Sequence, residues 1–135
     1  MDVATKTLVR ERARNRCEYC HIPQSALDWT LQVDHIIAQQ HLDNVTDDVN
    51  SLALACDRCN LHKGTNLTSV DPDTLQIVLL FHPRKDSWDE HFALIGAEIF
   101  GLTPSGRATV RLMQMNAEHR LELRMWLMTG GRLDE

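Results

Sequence analysis

Apolar positions in this chain come in short runs, and the spacing of each run selects an element. Residues 3 to 16, "VATKTLVRERARNR", predict a short basic helix running into "CEYC". "WTLQVDHII" predicts a strand that buries Leu31, Val33, Ile36 and Ile37. The polar, turn-rich "AQQHLDNVTDDVN" predicts a long loop with one helical turn. "SLALAC" then reads as a second short strand, and "CDRCNLHKGT" as a short helix stopped at Gly64. After a turn at Asp71-Pro72-Asp73, "LQIVLLFHP" predicts a strand ended by Pro83. "KDSWDEHFALIGAEIFGLT" predicts a helical turn and one further strand. Thr103-Pro104 is an N-cap followed by an N1 proline, and Ala108, Leu112 and Met115 fall on one helical face. A last helix is expected from Asn116, as its cap, to Gly130-Gly131, with Leu121, Met125 and Met128 on its packed face. Met113, Met115, Met125 and Met128 read as helix packing, and Trp29, Trp88 and Trp126 as core anchors. The chain is therefore expected to be α+β.

Composition narrows the function classes. At 135 residues, 43% hydrophobic and 24% charged, the chain suits one domain with a modest core. No run of about 18 apolar residues is present to span a membrane, and "MDVATKTLVRERARNR" lacks the apolar stretch of a signal peptide. A cytoplasmic location is the expectation, and there cysteines more often bind metal than pair as disulfides. A net charge of −5 argues against a simple charge-driven nucleic-acid binder. Basic residues are clustered, however: Arg10, Arg12, Arg14 and Arg16 precede the first cysteine pair, and Arg58 and Lys63 flank the last. The first cluster suits a solvated helix face or a phosphate contact equally. His21, His41 and His119 read as surface residues and His91 as structural.

Candidate chemistry begins with Cys17-x-x-Cys20 and Cys56-x-x-Cys59, which use every cysteine in the chain. Two such turns supply four thiolates for a closed, tetrahedral structural zinc site. The 35 residues between the pairs are more than a simple zinc ribbon needs, so something is looped out between them. A redox dithiol would want a βαβ context, which is missing. Inside the frame, Asp34 and His35 interrupt an apolar strand, where polar groups require partners. Strand neighbours point to opposite faces, so a shared site must lie where the strand ends or bulges. Asn50 and Asn60 complete the candidate set, although singly they also suit loop-end and helix-cap roles.

The ordered set "CEYC", "VDHI", Asn50-"SLALACDRCNLHKG" resembles the HNH endonuclease family in its variant with two zinc-binding CxxC pairs. The resemblance covers residues 17 to 64. It implies a ββα-metal nuclease core with a structural Cys₄ zinc site over residues 1–70, and a small strand/helix C-terminal extension over residues 71–135. It also implies His35 as general base, and Asp34 and Asn60 as ligands of one catalytic Mg²⁺ or Mn²⁺. Asn50 would orient the His35 ring; His62, Lys63 and Arg58 would touch phosphates. The substrate implied is DNA, hydrolysed to 3′-hydroxyl and 5′-phosphate ends. The chemistry is coherent, since a neutral histidine can take a proton from water and a hard cation prefers oxygen ligands. "FHPRKDSWDEHF" with "GLTPSGRATVRLMQMN" resembles an extension of one bacterial branch that commonly reads Phe-Asn-Pro-Arg, from which His82 departs. The competing expectation is a non-catalytic zinc module binding nucleic acid or protein, which would have no reason to keep Asp34, His35 and Asn60 together. Arg/Glu faces on the last helices fit a dimer or a monomer, and no membrane partner is expected.

Overall fold

The computed structural model describes residues 1–44 and 46–130; Gly131, expected to help end the last helix, lies outside the described residues. Helix α1, Val3–Arg12, starts where the Asp2 carboxylate accepts the Thr5 N–H at 2.8 Å. It ends four residues before the expected boundary, because Arg14 and Asn15 adopt left-handed φ angles of 55° and 58°. Both of its arginines are half-buried and bonded to backbone carbonyls. Arg10 donates to the Leu31 carbonyl, and Arg12 to the carbonyls of Val49 and Leu52. The basic helix thus serves as a brace across the following strands.

Strands β1, Gln32–His35, and β2, Leu52–Ala55, pair antiparallel, with Asp34 opposite Ala53 and His35 opposite Leu52. The expected strand is shorter than its apolar run. One more bond, from Ile36 N–H to the Ser51 carbonyl, extends the pairing before the chain turns away. Helical turns at 39–41 and 49–51 punctuate the long loop. Helix α2, Asp57–Lys63, follows β2 directly, completing a strand–strand–helix unit. Gly64 caps it at φ 52°, ψ −131°, a backbone conformation that only glycine adopts without strain.

Beyond residue 66 lie two more two-stranded sheets, β3 (Thr68–Val70) with β4 (Ile77–Leu79), and β5 (Phe92–Ile95) with β6 (Glu98–Gly101). Helix α3, Trp88–His91, precedes β5; α4, Pro104–Leu112, and α5, Glu118–Thr129, end the described chain. Where one strand was expected in 85–103 there is a hairpin, turning at Gly96 with φ 61°. The strand expected to reach Pro83 stops at Leu79, because Leu80 and Phe81 turn into the core. Thr103 does cap α4, its hydroxyl accepting the Gly106 N–H at 3.0 Å.

One cluster of buried residues contains Cys17, Leu31 and Leu54 from the first half and Phe81, Phe92, Ile99 and Leu127 from the second. Each fully buried leucine contributes roughly 1.5–3 kcal/mol. Polar bonds stitch the same seam. Trp88 Nε1 donates to the Tyr19 carbonyl at 2.8 Å, and the Arg84 guanidinium pairs with Glu18. Glu18, inside the first cysteine turn, also exchanges two bonds with Leu54 of β2. Trp88 is the tryptophan that anchors; Trp29 and Trp126 are 60% and 58% exposed, against expectation. His21, expected at the surface, stacks on Trp88 at 4.1 Å, and desolvation lowers its pKa to about 4.

The face of α5 is also the reverse of the expected one. Met125 and Met128 point outward, whereas Arg120, Arg124 and Leu127 are buried. Asn116 does not cap this helix. Its amide instead clasps Ile99, accepting from the N–H and donating to the carbonyl. His82 has a legible purpose: its Nδ1 accepts the N–H groups of Arg84 and Lys85 at 3.1 and 3.3 Å. An asparagine side-chain oxygen caps a turn in the same way, so histidine and asparagine are interchangeable acceptors here.

Among the described residues of the extension one carboxylate is fully buried, Asp71, which accepts two bonds from Arg107 at 2.9 and 2.8 Å and one from Thr74 at 2.9 Å. The Arg107 guanidinium holds its carboxyl well below the usual aspartate range. A carboxylate with a depressed folded pKa contributes stability that is complete above its unfolded pKa, near 3.9, and is lost as pH falls through the folded value. Asp71→Asn is therefore expected to lower the melting temperature by several degrees at pH 7. The gap from wild type should shrink below about pH 4, as read by thermal unfolding across pH.

Candidate active site and metal centre

The two cysteine turns meet face to face. All four sulfurs are buried and lie within 4.8 Å of one another, with Cys20 and Cys56 Sγ 3.7 Å apart. A tetrahedron of sulfurs about 2.3 Å from a zinc ion has edges of about 3.8 Å, so the cluster fits zinc. Each turn also folds a backbone N–H onto its own first sulfur: Cys20 N–H onto Cys17, and Cys59 N–H onto Cys56. Bonding to Cys17 and the other thiols pushes Cys20 and Cys59 up while drawing Cys56 down. Four thiols sharing protons in this way cannot all ionise unaided, and a divalent cation is what would let them. The same Cys56 sulfur caps α2, so the thiol cluster and the helix start are one feature.

One turn along α2, Asn60 faces the end of β1. Asp34, His35 and Asn60 together border an inner niche of about 10 Å³, closed by Tyr19, Ala53, Ala55 and Lys63. A niche of that size has room for about one water or ion. The same three residues also line an open cleft of about 700 Å³, with Gln39, Gln40, Leu61 and Thr65 on its walls. Strand β1 ends at His35, and the Asp34 carboxylate folds back to accept the His35 N–H at 2.9 Å. His41 Nε2 bonds the Thr65 carbonyl at 2.8 Å and so ties the loop wall of the cleft to the helix wall.

The His35 side chain is 12% exposed, and its Nε2 lies 3.0 Å from Asp47 Oδ1. A carboxylate can only accept, so His35 Nε2 donates to Asp47. Desolvation opposes ionisation of Asp47, but the bond from His35 and the Met1 ammonium at 3.4 Å together outweigh it and hold the carboxyl below its ordinary range. Sequence reasoning missed Asp47, which sits in a loop where neither periodicity nor spacing ties a carboxylate to a histidine 12 residues earlier. It missed Gln39 and Gln40 for the same reason, and Leu61, on α2, because its place on the cleft wall depends on where that helix docks. Asn50, expected to orient the ring, gives its backbone N–H to Asp48 at 2.9 Å and borders a different cavity, beside Ile36 and Ser51.

The expected phosphate contacts divide. Lys63 is buried, and its ammonium donates to the Ile36 carbonyl at 2.7 Å, fixing the chain just past His35. Desolvation lowers its pKa, with Asp34 working the other way. Arg58 faces His62 at 3.3 Å and His62 faces Gln114 at 3.5 Å, and neither Arg58 nor His62 lines the niche or the cleft.

Comparison with known proteins matches this architecture. The HNH endonuclease family model matches residues 17–66. The chain is 24% identical over 116 residues to the Septu protein PtuB of Bacillus thuringiensis. That alignment takes in 86% of this chain and 42% of the relative, so the chain spans about two fifths of that protein's length. No solved structure matches the chain. No helix among the described residues is long and apolar enough to cross a membrane. Residues 17–66 are thus the part of the chain similar to HNH endonucleases, and the extension that follows shares their buried core.

Proposed function

We propose that the protein is a metal-dependent endonuclease that hydrolyses DNA phosphodiester bonds. The observation that carries this reading is the convergence of Asp34, His35 and Asn60 on an ion-sized niche that shares all three with an open cleft. Two oxygen-bearing side chains beside a histidine suit a hard divalent ion, Mg²⁺ or Mn²⁺, held by Asp34 and Asn60. When bound, such an ion stabilises charge on the phosphoryl and leaving oxygens. Zn²⁺ belongs by donor chemistry to Cys17, Cys20, Cys56 and Cys59, where it is structural.

His35 takes the proton of the attacking water at Nδ1. Asp47 presents that nitrogen by holding Nε2–H, and its charge stabilises the imidazolium formed in the step. Lys63 keeps Asp34 and His35 in place from behind, through the Ile36 carbonyl, rather than by gripping phosphate. Gln39, Gln40, Leu61 and Thr65 line the approach, where amide groups can meet the nucleic acid. The relative's similarity runs well past the matched domain, so the extension is part of what the two chains share.

His35→Ala is expected to lower metal-dependent nicking of supercoiled plasmid by about 100-fold or more, with zinc content and folding retained. Cleavage that survives EDTA, or a mutant as active as wild type, would remove this reading. A second outcome concerns Asp47. Asp47→Ala should cut the turnover rate by roughly tenfold or more while leaving KM for plasmid nearly unchanged, since it touches the base and not the substrate. Equal losses in both constants would place Asp47 in substrate binding instead.

A further inference from the structure

Two buried guanidinium groups on α5 have no part in the proposed chemistry. Arg120 is 5% exposed and Arg124 1%, and the other fully buried residue of that helix is Leu127. A helix that buries two cations and one leucine is not held by an apolar stripe. Carbonyls account for part of the Arg124 fork, with Ala97 at 2.6 Å and Met115 at 2.8 Å, but among the described residues no carboxylate pairs with it. Arg120 meets one carboxylate, Asp57, at 2.8 Å, the residue that follows Cys56 in the second cysteine turn. Each guanidinium also keeps one buried N–H without a partner, Nε of Arg120 and Nη1 of Arg124. Buried cations require nearby negative charge.

The thiol cluster lies on the same buried seam: all four cysteines share one core cluster with Leu127 of α5, and the Asp57 that Arg120 grips follows Cys56. Attraction to Cys56 and Cys20 favours the charged form of Arg120, and attraction to Cys20 and Cys59 that of Arg124. Burial is the largest influence on both and opposes their charge. At Arg120 the thiols and Asp57 overcome it, whereas at Arg124 burial and the neighbouring Arg120 outweigh the thiols and Glu98 while no metal-bound tetrathiolate is formed. One Zn²⁺ on four thiolates leaves two negative charges in the core. Two guanidinium groups would cancel them. We propose that Arg120 and Arg124 are the counter-cations of the tetrathiolate centre formed by Cys17, Cys20, Cys56 and Cys59, and that α5 docks on the nuclease core through this charge balance. The proposal rests on the structural-zinc reading and is independent of the catalytic assignments. It makes the extension a part of the metal site, and it ties the seating of the last helix to zinc occupancy.

The test is zinc affinity of the full chain, measured by competition with a chromogenic chelator. The variants are Arg120→Met and Arg124→Met, which remove charge, and Arg120→Lys and Arg124→Lys, which keep it. Exposed Arg111→Met is the control. Each methionine variant should bind zinc about 10- to 100-fold more weakly, as loss of groups supporting metal ligands does. The lysine variants should stay within about threefold of wild type, and the control should not change. Methionine variants that bind as tightly as wild type would overturn the proposal. So would lysine variants that lose as much as their methionine counterparts, because the arginines would then act through packing and hydrogen bonds. If a methionine variant fails to fold, the lysine variant decides alone: near-native affinity supports charge balance, and a tenfold loss overturns it. Wild type that binds no zinc would end the zinc reading itself, a result distinct from wild type that binds zinc with variants that do not differ.

Discussion

Convergence of four thiols from two turns 36 positions apart is the constraint on which the rest of this structure depends. For Cys17 and Cys20 to meet Cys56 and Cys59, the intervening chain must go out and return. It does so as β1, a long loop and β2. The first turn is then locked onto β2 by the reciprocal Glu18–Leu54 bonds. The second turn becomes the start of α2 because the Cys56 sulfur caps it. Geometry set for a buried cluster therefore also points a helix at the end of a strand.

That helix is what turns a scaffold into a site. Asn60 lies four residues past Cys56, one helical turn, and so faces Asp34 and His35 where β1 stops pairing. Lys63, one position short of the next turn, reaches back to the Ile36 carbonyl and immobilises the strand's exit. Loop residues complete the arrangement: Asp47 holds the histidine ring, and His41 joins the two walls of the cleft. The strand and helix positions follow from the cysteine frame, and the remaining contacts come from the segment looped out within it.

Arginine performs in this small protein much of the work that apolar side chains perform elsewhere. Arg10 and Arg12 brace the strands through carbonyls, Arg84 couples the first cysteine turn to the extension, and Arg107 satisfies a buried aspartate. Arg124 joins the β5–β6 turn to the end of α4 through Ala97, Met115 and Asn116. A planar fork with five donors can satisfy several carbonyls at once, which an aliphatic chain cannot. The consequence is a fold whose exposed face on α5 carries methionines while its buried face carries charge.

Residues near one another in sequence, or bound by a fixed spacing, were legible without a structure. The CxxC pairs announce a metal cluster because two intervening residues fix where two thiolates can point. Thr103-Pro104 and Gly64 announce helix ends through local backbone chemistry, and "VDHI" announces polar groups stranded in an apolar run. Tertiary structure decided what spacing cannot encode. Asp47 was invisible because its tie to His35 is made by a loop path. Asn116 was assigned the usual local role of asparagine and found another partner, whereas Asn50, expected to orient the His35 ring, bonds Asp48 two residues away through its backbone N–H. The face of α5 was reversed because hydrophobic periodicity assumes that charge stays in water, and here carbonyls, Asp57 and the thiol cluster make burying Arg120 and Arg124 acceptable. Sequence by itself determined the donors and the local elements that carry them; the pairing of distant polar groups, which sets the site's geometry, was decided only when the chain closed on itself.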